Sequence, residues 1–230
     1  MARALDKIEV YLELGSKRTI AGAIDWPGWC RIGRDEASAL QALVDYAPRY
    51  ARVVRAASLG FHAPTDTAAF TVIERLKGNM TTDFGAPAIA PAGDARPVTP
   101  AELVRLQKLL KASWRAFDTA VSAAKGKELA KGPRGGGRDL DKIVAHVLGA
   151  DEAYLGQLGV KIKWAADDAT GRERSQAGQA IQKALAASAR GEIPARGPRG
   201  GLRWTPRYFC RRAAWHILDH AWEIEDRAKG

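Results

Sequence analysis

Between Cys210 and Arg227 the chain reads CRRAAWHILDHAWEIEDR, and this stretch constrains the rest more than any other. Phe209, Ala213, Ile217 and Ile224 recur at the helical period, and His216 and His220, spaced i and i+4, fall in the same stripe. A helix with such a stripe must bury it. Two imidazoles one turn apart in an apolar interior then need partners. A divalent metal is the commonest one; satisfaction by backbone groups or by acids is the alternative. Two ligands do not complete a metal site, so a third has to come from elsewhere in the chain.

The chain has 230 residues, room for one large domain or two small ones, and its 46% hydrophobic content supports a globular core. No apolar run approaches the length of a membrane span, so a membrane partner is not expected. The N-terminus, MARALDKIEVYLELG, is charged and strand-like, unlike a signal peptide. Cys30 and Cys210 form no C-x-x-C pair, which suits a reducing compartment, and a cytoplasmic location is expected. The net charge of +10 is uneven: residues 99–230 carry 24 Lys/Arg against 15 Asp/Glu, while residues 1–98 are close to neutral. That excess suits an anionic small molecule, an acidic partner or nucleic acid, or is simply a solvated surface.

Residues 7–14 and 18–24 read as two strands of a hairpin, and Cys30–Ile32 as a short third strand. A helix follows Gly33, with Asp35 and Glu36 in its first turn and a stripe through Ala37, Leu40 and Leu43/Val44. Pro48 is expected to end or kink it near Tyr46, with a second helical piece over 49–57. Residues 70–76 complete a β-β-β-α-β unit. Trp26 and Trp29 suit either a ligand surface or, more often, a core. The pattern Pro27-Gly28, Gly33, Asp35, Glu36 and Ala37 resembles the HicB-like fold of antitoxins over residues 1–78. No separate DNA reader follows it, so a nucleic-acid partner is not expected.

Residues 79–98 are rich in Pro and Gly and read as an ordered loop or linker. Thr99, Pro100 and Glu102 start a helix as N-cap, first residue and capping-box acid. Leu103, Leu106, Leu110, Trp114 and Phe117 carry it to about Ala124. Asp139 caps a second helix to about Gln157, a third runs over 172–189, and Pro206 opens the fourth. The expected fold class is therefore an α+β unit followed by an all-α four-helix bundle over 99–230.

His146 lies in the stripe of the second of these helices, with Ile143, Val147 and Ala150. It meets His216 and His220 if the second and fourth helices are neighbours. Three imidazoles leave open coordination positions, the pattern of a catalytic rather than a structural site. Zinc, nickel or iron suits such ligands. Asp219 and Glu223 are candidates to orient the ligand histidines from behind, although solvation of Glu223 is the simpler expectation. With His146 in DKIVAHVLGADEAYL and His216 and His220 in RRAAWHILDHAWEIEDR, residues 99–228 resemble the DinB superfamily of metalloproteins, which includes YfiT-like hydrolases and mycothiol- and bacillithiol-dependent enzymes. The resemblance implies a zinc or nickel site on these three histidines, a low-molecular-weight thiol as cosubstrate, and thiol transfer, isomerisation or hydrolysis. It also implies frequent dimerisation.

The pattern G-P-R-G-G-x-R occurs twice, at 132–138 and 197–203, each time just before a histidine-bearing helix. If those helices run parallel, Arg134 and Arg199 lie at one end and can grip an anion. In the up-down-down-up order ascribed to DinB-like proteins, the loops separate. Arg211 and Arg212 start the last helix closer to the histidines and are better placed to meet an anionic substrate, or else form a surface pair. Asp151 and Glu152 are expected as surface acids, and Cys210 as core. The expected function is metal-dependent transfer or hydrolysis on a small substrate. The alternative is a non-enzymatic regulatory or toxin-antitoxin-type binding protein acting through the HicB-like unit.

Overall fold

The computed structural model describes residues 7–131, 137–163 and 171–228, the last segment without the side chains of 171–173. The protein is mixed α+β, a four-stranded sheet followed by helices, and it divides into two compact units between Arg96 and Pro97.

The first unit runs β1 (Ile8–Leu14), β2 (Thr19–Ala23), β3 (Cys30–Gly33), α1 (Glu36–Arg55) and β4 (Phe70–Lys77), the expected order. The sheet order is β3-β2-β1-β4, with β1 antiparallel to β2 and parallel to β4. Successive strand residues face opposite sides, so burial of Val10 to Glu13 and of all of β2 requires cover on both faces. Part of it is α1, which packs on β2 and β3. The expected break at Pro48 does not occur: α1 is one helix through it. Proline removes one backbone donor, but Leu43, Val44, Ala47, Tyr50 and Val54 bury one face across that position, and the Tyr50 hydroxyl donates to Pro27 O at 2.9 Å. Trp29 is fully buried, stacked on Tyr50 with its Nε1 donating to Leu43 O, and Trp26 packs edge-on against Phe61. Both tryptophans pack within the fold of this unit.

Residues 79–96 hold a short helix, α2 (Met80–Phe84), and a 3₁₀ turn. Asp83, which accepts from Ser16 and Lys17, and Glu74, which accepts from Ala92 N, help to fasten them, and the most buried tie is the Glu13 carboxylate. The Thr82 hydroxyl donates to it, as do the amides of Ala88 (3.0 and 3.1 Å) and Ile89 (3.2 Å). Glu13→Ala therefore strands these donors. It should destabilise the first unit by roughly 2–3 kcal/mol in urea titrations and deprotect the Ala88 and Ile89 amides in hydrogen exchange. A loss below about 0.5 kcal/mol, with protection kept, would show that the segment is held by other means.

The second unit contains α3 (Pro100–Ala124), α4 (Leu140–Leu158), α5 (Gly171–Ala189) and α6 (Pro206–Arg227). Thr99 and Glu102 make the expected reciprocal cap of α3. Directions follow from end contacts. Arg207 in the first turn of α6 pairs with Glu102 in the first turn of α3 at 2.7 Å, so the two run parallel. Trp204 N, before α6, donates to Gln157 O near the end of α4, and Arg227, ending α6, donates to Arg138 O before α4; these two are antiparallel. Arg174 at the start of α5 pairs with Asp118 late in α3, while Gln182 exchanges hydrogen bonds with Gln107 earlier in α3, so α5 opposes α3. The sequence of directions is up, down, down, up. Around the group α3 lies against α6 and α5, and α4 against α5 and α6. Two apolar clusters fill it: one around Phe117, Ile143, Val147, Ile217 and Ile224, the other around Leu110, Leu155, Ile181, Leu185, Phe209 and Ala213. No described helix is long and apolar enough to cross a membrane.

Candidate metal centre

The histidines stand where the two apolar clusters meet. Along α6, His216 falls between Ala213 of one cluster and Ile217 of the other, while on α4 His146 precedes Val147. Because α4 and α6 are neighbours, the three rings come together: His146 and His216 have centroids 5.0 Å apart, His146 and His220 4.9 Å, His216 and His220 4.6 Å. Nε2 of His146 lies 3.2 Å from Nε2 of His216, and one ring nitrogen from each residue falls within 4.8 Å of the others. Two nitrogens bound tetrahedrally at zinc distances stand about 3.4 Å apart, so the closest pair already has nearly the required spacing.

Behind His220 stands Glu223. Its Oε2 lies 2.7 Å from Nδ1 of His220, and its Oε1 accepts from Arg227 at 2.7 Å. A carboxylate there holds the proton on Nδ1 and leaves the Nε2 lone pair free to bind. These bonds, that to His220 foremost, hold the Glu223 carboxyl below the usual range. Solvation, the simpler expectation for this acid, is therefore incorrect: the fold turns it inward. Arg227 completes the brace by donating to the carbonyls of Ala130 and Arg138. Gly137 permits that approach, since a Cβ on it would lie 2.6 Å from the guanidinium. Asp219 is half-buried one residue before His220. Glu223→Gln keeps the shape but weakens the polarisation of His220. It should lower zinc affinity about 10–100-fold in a chelator competition. Equal affinity in the two proteins would remove Glu223 from the site.

Burial, reinforced by His220 and His146 and then by Arg212 and Arg138, pushes His216 down to about 2. Burial also lowers His146, with His220 and Arg138 adding to it. Both imidazoles are thus kept neutral and able to coordinate. The surroundings are cationic. The Arg212 guanidinium sits 4.6 Å over the Trp215 ring and 5.7 Å from the Tyr154 ring, which itself lies 5.7 Å from His216.

Not every residue singled out in the sequence reaches this centre. Arg211 is buried at 4% exposure, so it is not half of a surface pair; of the two arginines, Arg212 is the one that acts electrostatically on His216. Arg134 lies outside the described residues. Of the two repeats, the described end at Arg138 meets Arg227 at the end of α6, whereas Arg203, before α6, lies against Gly159 after α4, so these two arginines stand at opposite ends of the antiparallel pair. Arg199 is exposed and lines an open groove of about 810 Å³ with Gly156, Gln157, Lys161 and Arg203. Gly156 is ten residues from His146, about 15 Å along the helix. In that loop the amides of Gly197 and Gly200 donate within the loop itself, to Gly201 O and Gly197 O, and do not face outward as an anion cradle.

Tyr154, Trp215, Arg138 and Arg227 were missed as site residues. The signal for Tyr154 is its i+8 spacing from His146, about 80° round the helix and so at the edge of the same apolar stripe. Asp151 corrects the expectation of a surface acid: it is 2% exposed, and burial pushes it up to about 7 against a bond from Trp114. Comparison of the chain with family models, with curated proteins and with solved structures gave no match.

Proposed function

We propose that residues 99–230 form a DinB-like four-helix bundle and act as a metal-dependent enzyme, a thiol transferase or hydrolase working on a small anionic substrate. The observation that carries this is the convergence of His146, His216 and His220, with Glu223 braced behind His220. The up-down-down-up order of α3 to α6 supports it. Zinc or nickel suits three imidazoles, and such a cation supplies Lewis acidity that lowers the pKa of a water or thiol sharing it. The protein's own residues do the rest. Glu223 keeps the proton of His220 on Nδ1. Tyr154 walls the side of His216, and Trp204 packs against Tyr154 at 5.1 Å, narrowing the access of water. Arg138 and Arg212 hold a positive potential over the histidines, which favours a thiolate or an anionic substrate.

We also propose that the first unit is HicB-like, on the strength of its β-β-β-α-β order. The experiment is metal analysis by plasma mass spectrometry of untagged protein, followed by turnover assays of the loaded protein with small thiols plus electrophiles and with small amides and esters. About one zinc or nickel per chain, with turnover lost on chelation, is expected. A chain that takes up no metal on reconstitution overturns the enzyme reading and favours the regulatory one, to be pursued through partners of the first unit.

A further inference from the structure

Residues 212, 215 and 216 carry three unspent polar atoms. Nη1 of Arg212, Nε1 of Trp215 and Nδ1 of His216 are all shut off from solvent, and none has a hydrogen-bond partner among the described residues. At 100° per residue the three positions span about one quarter to one third of the helix circumference, so they share a face of α6. No carboxylate pairs with Arg212 among the described residues, although its Nη1 is buried. The other acids nearby are engaged or neutral. Glu223 is taken up by His220 and Arg227, and burial holds the Asp151 carboxyl high enough to keep its proton below neutral pH. Arg212 is held in place by aromatic rings: it lies over Trp215 at 4.6 Å and beside Tyr154 at 5.7 Å. An arginine fixed by stacking, with an unused buried N–H and no counter-ion among the described residues, is costly unless an anion completes it.

We infer that Arg212, with the Trp215 indole N–H beside it, binds an oxyanion of the substrate, a carboxylate or a phosphate, next to the three histidines. A guanidinium presents paired N–H donors matched to such an oxyanion, and the stacked rings set its plane before the ligand arrives. Arg212 is thereby the specificity residue of the site: substrates with an oxyanion within reach of the histidines are selected, and neutral analogues leave its N–H unspent. This rests on the proposed function only in taking the oxyanion as part of the substrate; the anion site itself needs no metal.

The test uses acetate and inorganic phosphate as probes on the full chain, metal-free and zinc-loaded, by calorimetric titration and by thermal shift against chloride at equal ionic strength. Wild type should bind at least one of the two in both forms, and whichever binds more tightly identifies the oxyanion. Arg212→Gln should weaken binding at least about tenfold with the zinc content unchanged, because Arg212 is not a ligand. Arg212→Lys keeps the charge without the fork, should show a smaller loss, and replaces the glutamine variant if that fails to fold. Trp215→Phe should weaken binding by a few-fold. Arg199→Gln, in the separate groove, should change nothing. If the metal-free protein binds anion through Arg212 but never takes up zinc, the metal reading fails and this one stands. If zinc binds normally while neither probe binds, or both bind Arg212→Gln as tightly as wild type, this inference is overturned and the metal reading stands.

Discussion

Replacing His216 and His220 together by alanine is expected to reduce bound zinc from about one per chain to none and to abolish the thermal stabilisation that zinc gives the wild type. The reason lies in what the fold has already done. Three imidazole nitrogens lie within 4.8 Å, two of them 3.2 Å apart, and burial keeps His216 and His146 neutral. An ion therefore meets ligands that are already assembled, two of them kept neutral by burial. Because it binds the native chain and not the unfolded one, free zinc at 1,000 times its Kd adds about 4 kcal/mol to stability. The variant keeps only His146 and has no chelate left. Its metal-free stability should fall as well, since His216 is buried against Tyr154, Trp215 and the other two rings, so the zinc contribution is read within each protein as the difference between scans with and without zinc. Calorimetric scans with and without zinc, plus metal content, read all of this. A variant that still gains stability from zinc would place the site elsewhere.

Asp151→Asn is expected to flatten the stability profile between about pH 4 and pH 7. Burial raises the Asp151 carboxyl from its ordinary 3.8 to about 7, with the Trp114 bond opposing. Between those values the folded chain keeps a proton that the unfolded chain has released. Stability contributed by this group is thus complete below pH 4 and is lost as pH rises through about 7, by on the order of 4 kcal/mol in all. Asparagine cannot ionise and still offers Trp114 an acceptor. Relative to the variant, wild type should therefore lose stability steadily from pH 4 to pH 8. His216 slopes the other way below its ordinary pKa of 6.5, but it is present in both proteins and cancels in the comparison. Urea titrations of both proteins across that range decide it: parallel profiles would mean that Asp151 is ionised or solvated in the folded chain.

The sequence by itself determined most of the segments that become helix and strand, although not the short helix α2 inside the Pro/Gly-rich stretch, and it marked the three histidines. The stripe through Phe209, Ala213, Ile217 and Ile224, the Thr99-Pro100-Glu102 start and the alternation in β1 are local signals, set within a few residues of chain. The three histidines were legible because polar residues inside an apolar stripe conflict with it. Pro48 misled for the same reason: the local penalty was visible, while the buried face of α1 that outweighs it depends on distant residues. Glu13 read as one more strand residue until residues 79–96 folded back to supply its donors.

What only the tertiary structure decided is direction and adjacency. Nothing in a helix's own residues says which neighbour it takes or which way that neighbour runs. The antiparallel contact of α4 with α6 brings His146 to His216 and puts Arg138 and Arg227 at one end of the site. Glu223, Asp151 and Arg212 are ordinary charged residues in the chain. Each becomes consequential only because its surroundings exclude water, and an excluded volume is a property of several packed segments at once.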